Sequence, residues 1–307
     1  MEQKFSQSAA GTTILKGVSR SFYLSLRLLP RSMRDAAGLG YLLARSSDTI
    51  ADTANTPVSD RLQWLDDFSN AIHHGTPYVP SATLLDTCTE NEKILLDNAP
   101  ENLSWLQSLS TAEQSLVREV LAEIISGQRL DLERFGNASA DSRMVIENDS
   151  ALLDYCQRVA GSVGVFWTKL GFLGEGERFS RKSETTMLRW GKNFGCGLQL
   201  VNILRDRPED LRAGRYYLPG TADLPLGDAC LPAHDRWLIT AKNFIDDGLR
   251  YADALRGRRL RCATVLPALL ALETIEKLQA ATWSQMEQRV KITRPDVFRC
   301  LAEAMLF

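Results

Sequence analysis

Residues Gly197–Pro219 read GLQLVNILRDRPEDLRAGRYYLP, and their spacing decides how the rest of the chain is read. At about 100° per residue, Gln199, Asn202, Asp206 and Asp210 fall within one arc of roughly 80°. Leu200, Val201, Leu204 and Leu211 gather on the opposite side. The stretch is therefore predicted to be a helix with one packed face and one polar face. Tyr41–Asp52, YLLARSSDTIAD, has the same design. Tyr41, Arg45, Asp48 and Asp52 share a face, and Leu39, Leu43 and Ile50 oppose it.

Two carboxylates one helical turn apart repel by about 0.2–0.5 kcal/mol even on an exposed helix. A chain that does this twice needs a compensating charge, and a bound cation supplies it. Mg²⁺ prefers oxygen donors and is commonly held by one or two carboxylates together with substrate phosphates and water. Arg45 and Arg205, next to the acidic pairs, suit the remaining oxygens of a diphosphate. The expected site is diphosphate plus Mg²⁺, with Asp48, Asp52, Asp206 and Asp210 as metal ligands.

Composition narrows the field around this reading. The chain has 307 residues, a net charge of −2 and 44% hydrophobic residues. That balance argues against a basic nucleic-acid binder and against general disorder. No linker-like stretch divides it, so one domain over 1–307 is expected. Six dispersed cysteines with no CxxC pair indicate neither a zinc site nor a disulfide framework, which fits a cytoplasmic protein. The three histidines, His73, His74 and His234, have no metal-ligand spacing. MEQKFSQSAAGTT lacks a signal peptide's apolar core, and the longest apolar run, Cys262–Leu272, is too short to span a bilayer. A greasy product leaves peripheral membrane contact open, but no basic amphipathic segment announces it.

Helical periodicity dominates, and no run of alternating β-branched residues marks a sheet, so the fold class is all-α. Helices are expected at about 7–29, 32–53, 58–73, 83–97, 110–134, 147–172, 182–212, 232–256, 258–283 and 295–305. Pro208 should kink the seventh near Arg207. The small residues Ala160, Gly161, Ser162 and Gly164 let a neighbour approach closely, either for tight packing or for bending around a long substrate. Ala160-Gly-Ser-Val-Gly164 is a near miss for a GxSxG nucleophile elbow, without the strand–turn–helix context.

In family order the chain carries SRSF at Ser19–Phe22, DTIAD at Asp48–Asp52, YCQRVAGSVG at Tyr155–Gly164, QLVNILRDRPED at Gln199–Asp210 and GRYYLP at Gly214–Pro219. It resembles the squalene/phytoene synthases, which join two prenyl diphosphates head to head. The resemblance implies one large helical bundle of the isoprenoid synthase type around a central apolar cavity. It implies diphosphate contacts from Ser19, Ser21, Arg45, Arg205 and Arg215, with Gln199 and Asn202 ordering metal or substrate; as isolated amides these two would read as structural. Tyr41 and Tyr155 would stabilise a carbocation with their ring faces or move a proton with their hydroxyls. Val290-Lys-Ile-Thr-Arg294 looks like the segment that lies at the NADPH site of squalene synthases, with Lys291 and Arg294 as phosphate contacts. There is no GxGxxG fingerprint of a Rossmann domain.

The expected activity is Mg²⁺-dependent condensation of two farnesyl diphosphates through presqualene diphosphate to squalene, with no obligate protein partner. A non-reducing dehydrosqualene or phytoene synthase using C15 or C20 substrate is the alternative. A non-catalytic binding protein of the same fold would be expected to lose its acidic pairs, and both pairs are intact here.

Overall fold

The computed structural model describes residues 26, 28–53, 56–221 and 223–307. Ser19, Ser21 and nearly all of the expected 7–29 helix lie outside them. The fold is all-α, with one two-residue strand pair among the described residues.

The chain gathers into two compact units. The first holds the described residues up to Leu132 together with Lys169–Gly176. Its helices are α1 (Arg31–Ala51), α2 (Val58–His74), α3 (Ala82–Asp86), α4 (Glu90–Asp97), α5 (Ala99–Ser108) and most of α6 (Thr111–Phe135). The expected 83–97 helix is two helices, because Thr89 and Glu92 form a reciprocal capping box that starts a new one. α5 lies outside the expected helices; its Pro100 sits in the first turn, where its missing N–H costs nothing. On α1, Leu39, Leu43 and Ile50 are fully buried, as their spacing requires.

The second unit holds Glu133–Thr168 and Glu177–Phe307. It contains α7 (Asp149–Cys156), the start of α8 (Ser162–Glu175), α9 (Glu184–Arg212), α10 (Leu231–Ala254), α11 (Arg258–Ala280), α12 (Trp283–Glu287) and α13 (Arg294–Leu306). The expected 147–172 helix widens into a π turn at Gln157–Gly161, between α7 and α8. Around that turn the backbones nearly touch: a Cβ built on Gly164 would lie 1.9 Å from the Gly191 carbonyl oxygen, and one on Gly195 would lie 2.1 Å from that of Ala160. The small-residue run thus serves close helix packing. α9 continues through Pro208 to Arg212, which keeps Asp206 and Asp210 on one helix. Its Leu200, Val201, Leu204 and Leu211 lie in the unit's core.

Candidate active site

On α1, Asp48 is held from two sides. Gln128 of α6 donates through Nε2 to Asp48 Oδ1 at 2.5 Å, and Arg45 Nη1 stands 3.7 Å from Oδ2. Arg45 also reaches Glu92 Oε1 at 4.0 Å. Crowding by the protein, and then the like charge of Asp52, raise the Asp48 carboxyl to about 6. Its side chain keeps 46% of its surface, so water still reaches it. The Gln128 carbonyl oxygen is buried with no partner among the described residues. Oxygen donors, a strained acid pair and an orphan amide oxygen fit a hard cation. Neither Gln128 nor Glu92 stood out in the sequence. Tyr41 is half-buried and Asp52 exposed on the same helix.

On α9, Asp206, Glu209 and Asp210 project from the face opposite the core. Arg205 grips Asp206 with two hydrogen bonds, Nε to Oδ1 at 3.0 Å and Nη2 to Oδ2 at 2.6 Å. Arg215 donates twice to Asp210 Oδ1, at 3.0 and 2.6 Å. Arg289, between α12 and α13, lies 3.0 Å from Glu209 and 4.0 Å from Asp206. It has a left-handed backbone, φ 69°, which is uncommon for a non-glycine residue and invisible in the sequence. Asp210 is only 13% exposed, and burial raises its carboxyl to about 6 against the opposing pull of Arg215. Three of the acids expected to hold a metal, Asp48, Asp206 and Asp210, therefore engage the arginines expected to hold diphosphate, Arg45, Arg205 and Arg215. Gln199 is half-buried and Asn202 exposed.

GRYYLP owes its position to a two-residue parallel pairing of β1 (Met144–Val145) with β2 (Arg215–Tyr216). Gly214 enters it with φ 78°, and a Cβ there would lie 2.0 Å from the Ser139 carbonyl oxygen, so only glycine fits. The pairing fixes Arg215 beside Asp210. Tyr217 stacks on Tyr155 at 5.6 Å and tilts against Phe135 at 4.6 Å, which joins two motifs about sixty residues apart.

Behind the acidic face the helix turns Arg207 inward, 3% exposed, where it donates to the Cys230 carbonyl oxygen and lies over the Trp283 ring. Beside it His234 is fully buried, with both ring nitrogens unpartnered among the described residues. Burial, and then the Arg207 charge, lower its pKa to about 4. Its unfolded value, near 6.5, lies above the folded one. The unfolded state thus binds the extra proton between those values, and stability falls as pH drops from about 6.5 to 4. Asp48 and Asp210, raised when folded, contribute with the opposite sign in an overlapping window. We expect His234→Gln to remove roughly 3 kcal/mol of acid-induced loss, read as the difference in melting temperature between wild type and variant across that range. Parallel curves would show that His234 does not titrate as described.

Neither Lys291 nor Arg294 has an ion pair or side-chain hydrogen bond among the described residues. Lys291 is exposed just before α13, and Arg294 is exposed in its first turn. Two unpaired cations at a helix N-terminus fit phosphate oxygens. Among the described residues no three His, Cys, Asp or Glu side chains converge as a ready-made metal site.

The family model for squalene/phytoene synthases matches residues 15–223. A presqualene diphosphate synthase of Rhodopseudomonas palustris is 31% identical over 238 residues, which cover 71% of this chain and 70% of that protein. The squalene synthase of Schizosaccharomyces pombe is 24% identical over 275 residues, 85% of this chain and 57% of that protein. A phytoene synthase of Mycobacterium tuberculosis is 27% identical over 207 residues, 67% of this chain and 55% of that protein. The chain thus spans little more than half the length of these last two. Among solved structures, TcSQS, a squalene synthase in complex with a ligand, superposes with TM-score 0.80 at 23% identity, over 96% of this chain and 85% of that one. At that identity the likeness shows the fold.

Proposed function

The chain belongs to the squalene/phytoene synthase family of prenyltransferases, and we propose that it joins two farnesyl diphosphates head to head through presqualene diphosphate and reduces the product with NADPH to squalene. The observation that carries the proposal is a pair of carboxylates one turn apart, found twice, each on a polar helix face with an arginine beside it and a buried apolar stripe behind.

In this reading Asp48, Asp52, Asp206 and Asp210 hold Mg²⁺. When bound, the metal neutralises a departing diphosphate and so favours ionisation of the allylic C–O bond. Arg45, Arg205 and Arg215 exchange their carboxylate partners for diphosphate oxygens, which keeps every charge paired. Gln128 orients Asp48 through its amide. Tyr155, buried in its stack with Tyr217, presents an aromatic ring where positive charge develops on the prenyl chain, and Tyr41 does the same from α1. Gln199 and Asn202 order the substrate on the acidic face of α9, while Ser19 and Ser21 contact diphosphate. Lys291 and Arg294 would hold the phosphates of NADPH, which would supply the hydride that ends the reaction.

A second reading stops at the cyclopropyl diphosphate, and the relative named presqualene diphosphate synthase favours it. Purified protein should be given C15 or C20 diphosphate with and without NADPH, and the products identified. Without NADPH, C15 diphosphate should still be consumed and squalene should be missing. Squalene formed only with NADPH supports the proposal. Presqualene diphosphate in both arms supports the second reading, and dehydrosqualene or phytoene in both arms rejects each of them.

The cofactor assignment has its own test. Lys291→Ala/Arg294→Ala should raise the KM for NADPH roughly ten- to a hundredfold for each charge-assisted hydrogen bond lost. Consumption of C15 diphosphate should stay near wild type. An unchanged KM would remove both residues from the cofactor site.

A further inference from the structure

The sequence shows no basic amphipathic segment, yet the second unit assembles one from chain segments far apart. The loop after Phe179 runs beside the end of α10: Arg181 N–H donates to the Ala254 carbonyl at 2.8 Å, Arg256 N–H to that of Phe179 at 3.1 Å, and Ser180 bridges Leu255. This alignment sets Arg181 and Lys182 beside Arg256, Arg258 and Arg259, all exposed. None of the five has a carboxylate partner among the described residues, whereas other exposed cations of this unit, such as Arg236, Arg250 and Arg299, have one.

Arg258 and Arg259 also occupy the first turn of α11, which holds no acidic residue. Cations there oppose the helix dipole, so α11 itself gains nothing from their charge.

Apolar side chains adjoin this cluster. Arg258 Nη2 donates to the Met305 carbonyl oxygen at 3.0 Å and so ties the start of α11 to the last turns of α13. Cys300 and Ala304 bury the inner side of α13. Its outer side exposes Phe298 and Met305, two turns apart, with Leu306 next to them; Phe298 is 69% and Leu306 86% exposed. Singly exposed apolar residues are ordinary, but a stripe beside cations that no carboxylate neutralises is a surface with a partner.

We propose that this face docks on an anionic lipid bilayer: the arginines and Lys182 meet lipid phosphates while Phe298, Met305 and Leu306 enter the headgroup boundary. Charge complementarity selects the bilayer, since a second copy of the same face would oppose cation to cation. No helix among the described residues is long and apolar enough to cross a membrane, so the contact is peripheral.

Vesicle flotation of the purified protein tests this, with phosphatidylcholine alone and with phosphatidylglycerol added. Binding should require the anionic lipid and fall with added salt. Lys182→Glu/Arg259→Glu changes two side chains that make no side-chain hydrogen bond or ion pair among the described residues, so the fold should survive, as circular dichroism would show. Each cation removed should weaken binding about fivefold, and reversal more. Phe298→Ser/Met305→Ser should leave weak, fully salt-sensitive binding. Equal flotation on neutral vesicles, none on anionic ones, or wild-type flotation by the charge-reversed variant would overturn the proposal. So would a dimer that the Phe298→Ser/Met305→Ser change dissociates, because a second copy would then cover the face.

Discussion

Asp48→Asn and Asp206→Asn should each cut turnover by at least about a hundred- to a thousandfold, the scale on which removal of one preorganised group facing transition-state charge is felt. Each change removes a charge and keeps the shape. Folding should hardly notice, since the Asp48 and Asp206 side chains are 46% and 30% exposed and such ion pairs contribute about 0–1 kcal/mol. The two variants should differ in the sign of that small effect. Asp48→Asn relieves repulsion from Asp52, whereas Asp206→Asn weakens the two-bond grip of Arg205. Steady-state assays across a Mg²⁺ titration, with melting curves, would measure both. Protons and Mg²⁺ compete for Asp48 and Asp210, so at limiting metal the rate should rise with pH through about 6, and that limb should move lower as Mg²⁺ increases. Wild-type rates from both variants at limiting Mg²⁺ would remove the metal site from the proposal.

Gly164→Ala should do the reverse and destroy the fold before it reaches the chemistry. The added methyl would lie 1.9 Å from the Gly191 carbonyl oxygen and 2.4 Å from its carbon. A rotamer change cannot relieve a clash with backbone, so α8 and α9 must separate, and the cost should lie at or above the top of the ~1–3 kcal/mol usual for overpacking. Gly38→Ala on α1 is the control. Its new methyl would stand 4.0 Å from the Trp105 ring, an ordinary contact, and replacing glycine inside a helix should stabilise by about 0.5–1 kcal/mol. Denaturant melts that moved both variants in the same direction would contradict this account of the small-residue run.

The sequence by itself determined the all-α class, the two helices that carry the acidic pairs, and which side of each is buried. Both acidic faces follow from successive positions three or four apart on one helix, and 3.6-residue periodicity is local. Leu39, Leu43, Ile50, Leu200 and Leu204 are fully buried as that periodicity demands. Family motifs added the roles expected of Ser19, Ser21, Lys291 and Arg294, on which local spacing is silent.

Tertiary structure alone decided which distant residues meet the acids. Gln128 meets Asp48 across eighty residues, and Arg289 reaches Glu209 from a left-handed turn that no residue type announced. Arg207 lies buried beside His234, and Tyr155 finds Tyr217 because a two-residue strand pair fixes GRYYLP. The basic surface likewise joins Arg181 and Lys182 to Arg256, Arg258 and Arg259 through backbone hydrogen bonds between loops. The physical reason is common to all of these. Helix periodicity is set by bonds between near neighbours, whereas side chains from distant segments meet only where packing and main-chain pairing bring their backbones together.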